Sequence, residues 1–291
     1  ALEELLGNAS SMKKQVIREI EADAKQFGDA RRTLILEEKK AVIEVKVVDE
    51  PVSVVVSEKG WLRARQGHGH DAAQFAFKAG DALYGVFECR TVDTLLAFGS
   101  NGRVYSVPVA QLPGARGDGQ PVTSVIDLEP GTRVLHYFAG AADEVLLLAT
   151  SGGFGFTAQL ASMVSRQRAG KSFITIDEGS EPLQPLRVRA DTGAVSCLSE
   201  KGRLLVFGMD ELKQMAGGGR GLTLMELEAK EKLLAALPTA PAGVVVLGIL
   251  GGKPREVVLG QRALSPHFGK RARKGRAVEA RIKVTGLRAA V

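Results

Sequence analysis

The sequence predicts an all-β fold, a propeller-like ring of about five four-stranded blades, preceded by a short α-helical coiled-coil segment. Three observations point to it. A hairpin of two short apolar, β-branched runs around a glycine turn occurs five times. The turn glycines Gly60, Gly102, Gly152, Gly202 and Gly252 are spaced 42, 50, 50 and 50 residues apart. Most hairpins are followed by a Gly/basic loop, an acidic turn and another apolar run, which gives about four short strands per repeat, as in radially arranged blades. Apolar residues make up 45% of the chain and aromatics only 5%, which suits many small Val/Leu sheets stacked face to face.

Residues 1–38 read as a helical segment and linker, and 39–291 as the ring, with units at about 50–92, 93–141, 142–190, 191–240 and 241–291. The helical part spans about residues 1–32. Leu2, Leu5 and Leu6 form a short stripe that stops near Gly7-Asn8, and Ser10 or Ser11 caps a second helix. Met12, Val16, Ile17, Ile20 and Phe27 follow at helical spacing, and Gly28 suits the C-terminal cap. The opposite face is highly charged, so these stripes are expected to pack on each other or on something outside the chain, as at the end of a coiled coil. The chain begins inside a helical pattern, as a piece of a longer protein would.

The second hairpin shows the unit most clearly. Leu95 to Phe98 is an apolar run, Ser100-Asn101-Gly102 is turn chemistry, and Val104, Tyr105 and Val107 form the returning strand before Pro108. The others are Val52–Ser57 with Trp61–Arg63, Val145–Ala149 with Phe154–Phe156, Val195–Leu198 with Arg203–Phe207, and Val244–Leu250 with Arg255–Leu259. Acidic turns close the loops at Lys78-Ala79-Gly80-Asp81, Glu129-Pro130-Gly131 and Asp177-Glu178-Gly179.

The two cysteines, Cys89 and Cys197, fall at strand-like positions and read as small buried hydrophobes. No apolar run approaches the ~20 residues of a membrane span. The net charge of +6 is uneven: residues 262–291 hold nine Lys/Arg and one acid, +8, which leaves −2 for the rest. A basic patch on a near-neutral body suits a polyanion partner, and a solvated tail is the alternative. Val278, Ile282, Val284 and Leu287, interleaved with these charges, look like a last strand.

Gly170-Lys171-Ser172 imitates the end of a phosphate-binding P-loop, but position 165 is Ser where that motif needs Gly, and Phe173–Ile176 reads as a strand, not a helix. His68 and His70, with only Asp71 as a nearby acid, read as a polar surface loop, so no metal site is expected. No carboxylate pair or nucleophile triad presents itself, and no catalytic residue is assigned.

Phe27-Gly28-Asp29-Ala30-Arg31-Arg32-Thr33, followed by five Gly-anchored repeats, resembles the exit from the cleavage core of type IIA topoisomerase A subunits into their C-terminal β-pinwheel, a ring whose blades exchange strands with their neighbours. Gyrase A subunits carry a basic box in the first-blade loop. Here that loop, Arg63 to Asp71, has none, and the G-W-x-R…G-H pattern from Gly60 to His68 is similar to the topoisomerase IV branch. So are Ser165-Arg166-Gln167-Arg168-Ala169-Gly170-Lys171, Val107-Pro108, Leu112-Pro113 and Ala115-Arg116-Gly117.

The resemblance implies a domain that binds and bends duplex DNA, largely without regard to sequence, for ATP-dependent strand passage by its parent. The implied DNA contacts are Arg63 and Arg65 in the first unit, Arg103 and Arg116 in the second, and Arg166, Arg168 and Lys171 in the third. Arg220 in the Gly217–Gly221 loop follows in the fourth unit, and Lys270, Arg271, Arg273, Lys274 and Arg276 in the fifth, the densest cluster. The implied partners are double-stranded DNA and the ATPase B subunit, in a heterotetramer of two A and two B subunits, with this fragment monomeric alone. No cofactor is expected in this chain; ATP and Mg would act through the parent's other domains and its partner. Tyr84, Tyr105 and Tyr137 sit in strand-like runs, none in the setting of the family's cleavage tyrosine, so the chain is expected to be inactive alone. The implied location is cytoplasmic and chromosome-associated, with peripheral membrane association as in the family. A protein-interaction propeller is the alternative of another class, although WD40 and kelch blades repeat Trp and this chain has only Trp61.

Overall fold

The computed structural model describes residues 7–29, 47–114, 117–278 and 281–290. The chain forms two compact units, 1–46 and 47–291. In the first, α1 (Ala9–Phe27) is capped by Asn8, whose side chain accepts from the Ser10 N–H, rather than by Ser10 or Ser11. Gly28 ends the helix in an extended conformation, its N–H bonded to the Ala24 carbonyl. The stripe Met12, Val16, Ile17, Ile20 and Phe27 is exposed. The expected stripe at Leu2, Leu5 and Leu6 and the Ala30–Thr33 half of the family motif lie outside the described residues.

The second unit is built from five repeats. The first supplies β1 (Pro51–Ser57), β2 (Trp61–Gln66) and β3 (Leu83–Arg90). The second supplies β4 (Thr94–Gly99), β5 (Arg103–Pro108), β6 (Gln120–Pro121) and β7 (Val134–Gly140). The third supplies β8 (Val145–Ala149), β9 (Phe154–Gln159), β10 (Lys171–Ser172) and β11 (Leu186–Arg187). The fourth supplies β12 (Ala194–Ser199), β13 (Arg203–Gly208), β14 (Leu222–Thr223) and β15 (Leu233–Thr239). The fifth supplies β16 (Val244–Leu250), β17 (Lys253–Leu259), β18 (Arg276–Ala277) and β19 (Lys283–Ala289).

Each repeat keeps its hairpin and last strand, and repeats two to five give their short strand away. The sheets run β3-β1-β2-β6, β10-β5-β4-β7, β11-β8-β9-β14, β15-β12-β13-β18 and β17-β16-β19. Thus β6, β10, β14 and β18 each complete the blade before their own. The fifth blade has three strands among the described residues, and β17 is its edge. The expected strand at Phe173–Ile176 does not form: β10 lies before it, at Lys171–Ser172, and Ile174 makes an isolated parallel bridge to Gly219. In the third hairpin the left-handed turn residue is Gly153 (φ +84°), one place after the expected Gly152.

Hairpin strands of the second to fourth blades are apolar on both faces because each of those blades lies between two others; β4 is buried from Leu95 through Gly99. Val54, Leu62, Leu95, Tyr105 and Tyr137 join the first and second blades, and Phe98, Val104, Leu146 and Phe156 join the second and third. Leu147, Val195 and Phe207 join the third and fourth, and Leu198, Val206, Val244 and Val284 the fourth and fifth. At about 1.5–3 kcal/mol per fully buried large apolar side chain, these seams hold the ring together. Among the described residues no such cluster joins the fifth blade to the first. Ile249, Leu250 and Val258 of the fifth blade are exposed.

A polar chain crosses the first three repeats. The Tyr84 Oη accepts from the Tyr137 N–H at 3.2 Å and lies 3.2 Å from His136 Nδ1, while His136 Nε2 is 3.1 Å from the Pro182 carbonyl. The Pro182 carbonyl can only accept, so Nε2 carries the proton and Nδ1 accepts from Tyr84. Burial lowers the His136 pKa and raises those of Tyr84 and Tyr137.

Candidate nucleic-acid interface

The strands β3, β7, β11, β15 and β19 all contribute to a central cavity of about 710 Å³. The opposite sheet edges, where the exchanged strands sit, therefore form the outer rim. Each exchanged strand is entered through a glycine of positive φ: Gly119 (+88°), Gly170 (+61°), Gly221 (+80°) and Gly275 (+70°). A Cβ at these positions would lie 2.3, 2.4, 2.5 and 2.7 Å from the carbonyl oxygens of Leu62, Val104, Gly155 and Leu204, each in the preceding blade. Only glycine permits this approach. These hinge glycines recur at spacings of 51, 51 and 54 residues, a signal legible in the sequence.

The loop before each hinge runs along the preceding blade. Ala64, Thr157 and Val206 form parallel bridges to Gly114, Gln214 and Phe268. The basic segments of repeats two to five are thereby brought to equivalent rim positions.

Eleven of the thirteen cations implied by the sequence separate into three groups. Four are engaged inside the ring. Arg63 is a buried residue of β2, not of a loop, and its Nη1 and Nη2 donate to the Gly117 and Ala76 carbonyls at 2.8 and 2.7 Å. Its guanidinium lies 5.1 Å from the Phe77 ring centroid. Arg103 donates from Nε and Nη2 to Ala169 and Gly170 at 3.0 and 3.1 Å and pairs with Glu129 at 3.2 Å. Lys171 lies in β10 and donates to the Ser162 carbonyl, its Nζ 5.4 Å from the Phe173 ring centroid. Arg271 is half-buried; it donates from Nη1 to the Thr223 carbonyl at 2.5 Å, and its N–H to Glu211 at 2.9 Å.

A second group is exposed but faces an acid. Arg168 lies 3.4 Å from Asp127, Arg220 2.9 Å from Asp177, and Lys274 3.9 Å from Glu226. Arg220 also lies over the Phe154 ring at 4.1 Å. The third group, Arg166, Lys270, Arg273 and Arg276, is exposed and has no side-chain partner among the described residues. Three of these four lie within seven residues of the fifth loop. Arg65 is half-buried on β2, 5.7 Å from the Phe75 ring centroid, and Arg116 lies outside the described residues.

The histidine pair is held by main chain: His68 Nε2 is 2.8 Å from the Cys89 carbonyl and His70 Nε2 2.9 Å from that of Gln66. Among the described residues no group of three or more His, Cys, Asp or Glu is placed to hold a metal, and no helix is long and apolar enough to cross a membrane. The basic C-terminal stretch is not only a solvated tail, because it contains β18 and β19.

Comparison with known proteins adds to this geometry. The profile of the DNA gyrase C-terminal domain, a β-propeller, matches residues 93–131 and 195–240. The chain is 42% identical over 237 residues to the A subunit of DNA topoisomerase 4 from Neisseria gonorrhoeae and 32% identical over 290 residues to that of Escherichia coli K12. These alignments take in 78 and 99% of the chain but 30 and 37% of the two relatives, so the chain spans about a third of their length. The solved E. coli ParC C-terminal domain superposes with a TM-score of 0.72 at 26% identity, covering 82% of this chain and 98% of that one. A C-terminal domain of DNA topoisomerase IV gives 0.69 at 19% identity, covering 84 and 79% of the two chains, a likeness of fold.

Proposed function

The chain belongs to the family of topoisomerase IV A subunits, as its C-terminal β-pinwheel, and from that premise we propose that its rim binds and bends duplex DNA and presents the transported segment for strand passage. The observation that carries this reading is the set of exposed cations without a side-chain partner among the described residues, at equivalent places on the rim: Arg166 in the third repeat and Lys270, Arg273 and Arg276 in the fifth. Phosphate contacts from such loops position a duplex without reading its sequence. Bending ~20–30 bp around a ring costs on the order of 1–6 kcal/mol, so several contacts on separate blades are needed to offset it.

In this reading the fifth loop is the main anchor and the third the second. The buried or internally bonded Arg63, Arg103, Lys171 and Arg271 act by holding the loops in shape. The parent would be a cytoplasmic, chromosome-associated enzyme that decatenates and relaxes DNA, with an ATPase B subunit as partner and with ATP and Mg acting through that subunit and the parent's other domains. A gyrase-type wrapping role is disfavoured by the absence of a basic box between Arg63 and Asp71.

The test is a salt titration of binding to linear and circular duplexes of unrelated sequence. Sequence-independent binding that weakens steeply with salt supports the proposal. Salt-insensitive binding, or none, favours a protein-interaction ring.

A further inference from the structure

Three successive blade junctions are built alike. The residue two places before the hinge glycine gives its carbonyl to a main-chain N–H of the preceding repeat: Arg168 to Asp127 at 3.0 Å, Gly219 to Thr175 at 3.0 Å, and Arg273 to Glu226 at 3.1 Å. Beside each of these bonds one carboxylate of the preceding repeat faces one cation of the next rim loop. The pairs are Asp127 with Arg168, Asp177 with Arg220, and Glu226 with Lys274. All six side chains are 37 to 64% exposed. Exposed pairs of this kind contribute little to stability. Their recurrence at three equivalent junctions, on the rim that carries the unpartnered cations, calls for another role.

We propose that Asp127, Asp177 and Glu226 are built-in counter-ions that set the grip of the rim on DNA. This rests on the DNA-binding reading above. A phosphate that takes Arg168, Arg220 or Lys274 must displace a carboxylate, and the freed carboxylate then gathers a cation from solution. Net counter-ion release at these contacts therefore falls below the ~0.9 per phosphate expected of a free cation. The displaced acid also stays beside the DNA and repels it. Among the described residues Arg166, Lys270, Arg273 and Arg276 face no such competitor. The rim then holds a duplex firmly at a few anchors and lightly at three junctions between blades, which suits a segment that must be bent and then released.

The experiment compares three forms of this chain on a linear duplex across a range of salt. They are the wild type, a junction triple (Asp127→Asn, Asp177→Asn, Glu226→Gln) and a control triple (Glu58→Gln, Asp191→Asn, Glu200→Gln). The control acids are exposed, hold no ion pair among the described residues, and give the same change in net charge. At about 1.4- to 5-fold per exposed pair, the junction triple should bind about 3- to 100-fold more tightly than wild type. Its log–log salt slope should be steeper by up to about 2.7. The control should gain less and keep the wild-type slope. The three single junction variants, each with a share of the gain, keep the test usable if the triple does not fold. Binding by all forms with no difference between junction and control variants would overturn this proposal alone. Absence of DNA binding in every form would overturn the DNA-binding reading, and this proposal with it.

Discussion

Replacing Lys270, Arg273 and Arg276 with alanine removes the three fifth-loop cations that face no acid and no carbonyl among the described residues. If each releases about 0.9 counter-ion on meeting a phosphate, the log–log salt slope of DNA binding should flatten by about 2.7. Between about 50 and 200 mM salt this makes the variant's affinity fall roughly 40-fold less than the wild type's. Arg271 is left out of the set because its guanidinium is bonded to Thr223 and its main chain to Glu211; Arg271→Ala should loosen the loop and lower thermal stability. In the third loop Arg166→Ala alone should flatten the slope by about 0.9. Fluorescence anisotropy with two unrelated duplexes measures both effects, and the loss should be the same on each. An unchanged slope in the triple variant, with circular dichroism showing the fold intact, would refute the assignment of the anchor to the fifth loop.

Three further outcomes are expected. Gly170→Ala should destabilise the ring by at least about 2 kcal/mol in urea unfolding, because φ there is +61° and the new Cβ meets the Val104 carbonyl at 2.4 Å; a change below about 0.5 kcal/mol would show that the strand exchange tolerates a side chain. Burial holds His136 below its ordinary value, so its contribution is complete above about pH 6.5 and is lost as the pH falls through the lowered folded value, because the unfolded chain takes up the proton first. Unfolding midpoints between pH 7 and 5 should fall more for wild type than for His136→Gln, and parallel curves would exclude His136 as the source. The purified chain should neither hydrolyse ATP nor cleave DNA; ATPase activity abolished by Lys171→Ala would contradict the placement of that Nζ on the Ser162 carbonyl.

The fivefold repeat was legible in the sequence because its cause is local. A left-handed turn needs Gly60, Gly102 or Gly202 whatever surrounds it, and blades with a neighbour on both sides need runs such as Leu95–Phe98 and Val195–Leu198. The turn in the third hairpin slipped by one residue because Gly152 and Gly153 are both glycine, and only the strand pairing decides which takes positive φ. Charge density was legible too, and it drew attention to Lys270–Arg276. What the sequence could not show is which cations are free. Arg63 and Arg166 are both arginines in basic stretches, yet one is buried between the Gly117 and Ala76 carbonyls and the other is exposed without a partner among the described residues. Those carbonyls lie 54 and 13 residues from Arg63, and the acids facing Arg168, Arg220 and Lys274 lie 41, 43 and 48 residues away in the preceding repeat. The distances to Gly117 and to the three acids are closed by strand exchange and that to Ala76 by the folding of the first-repeat loop, so the division of the rim into anchored, paired and free cations belongs to the tertiary structure.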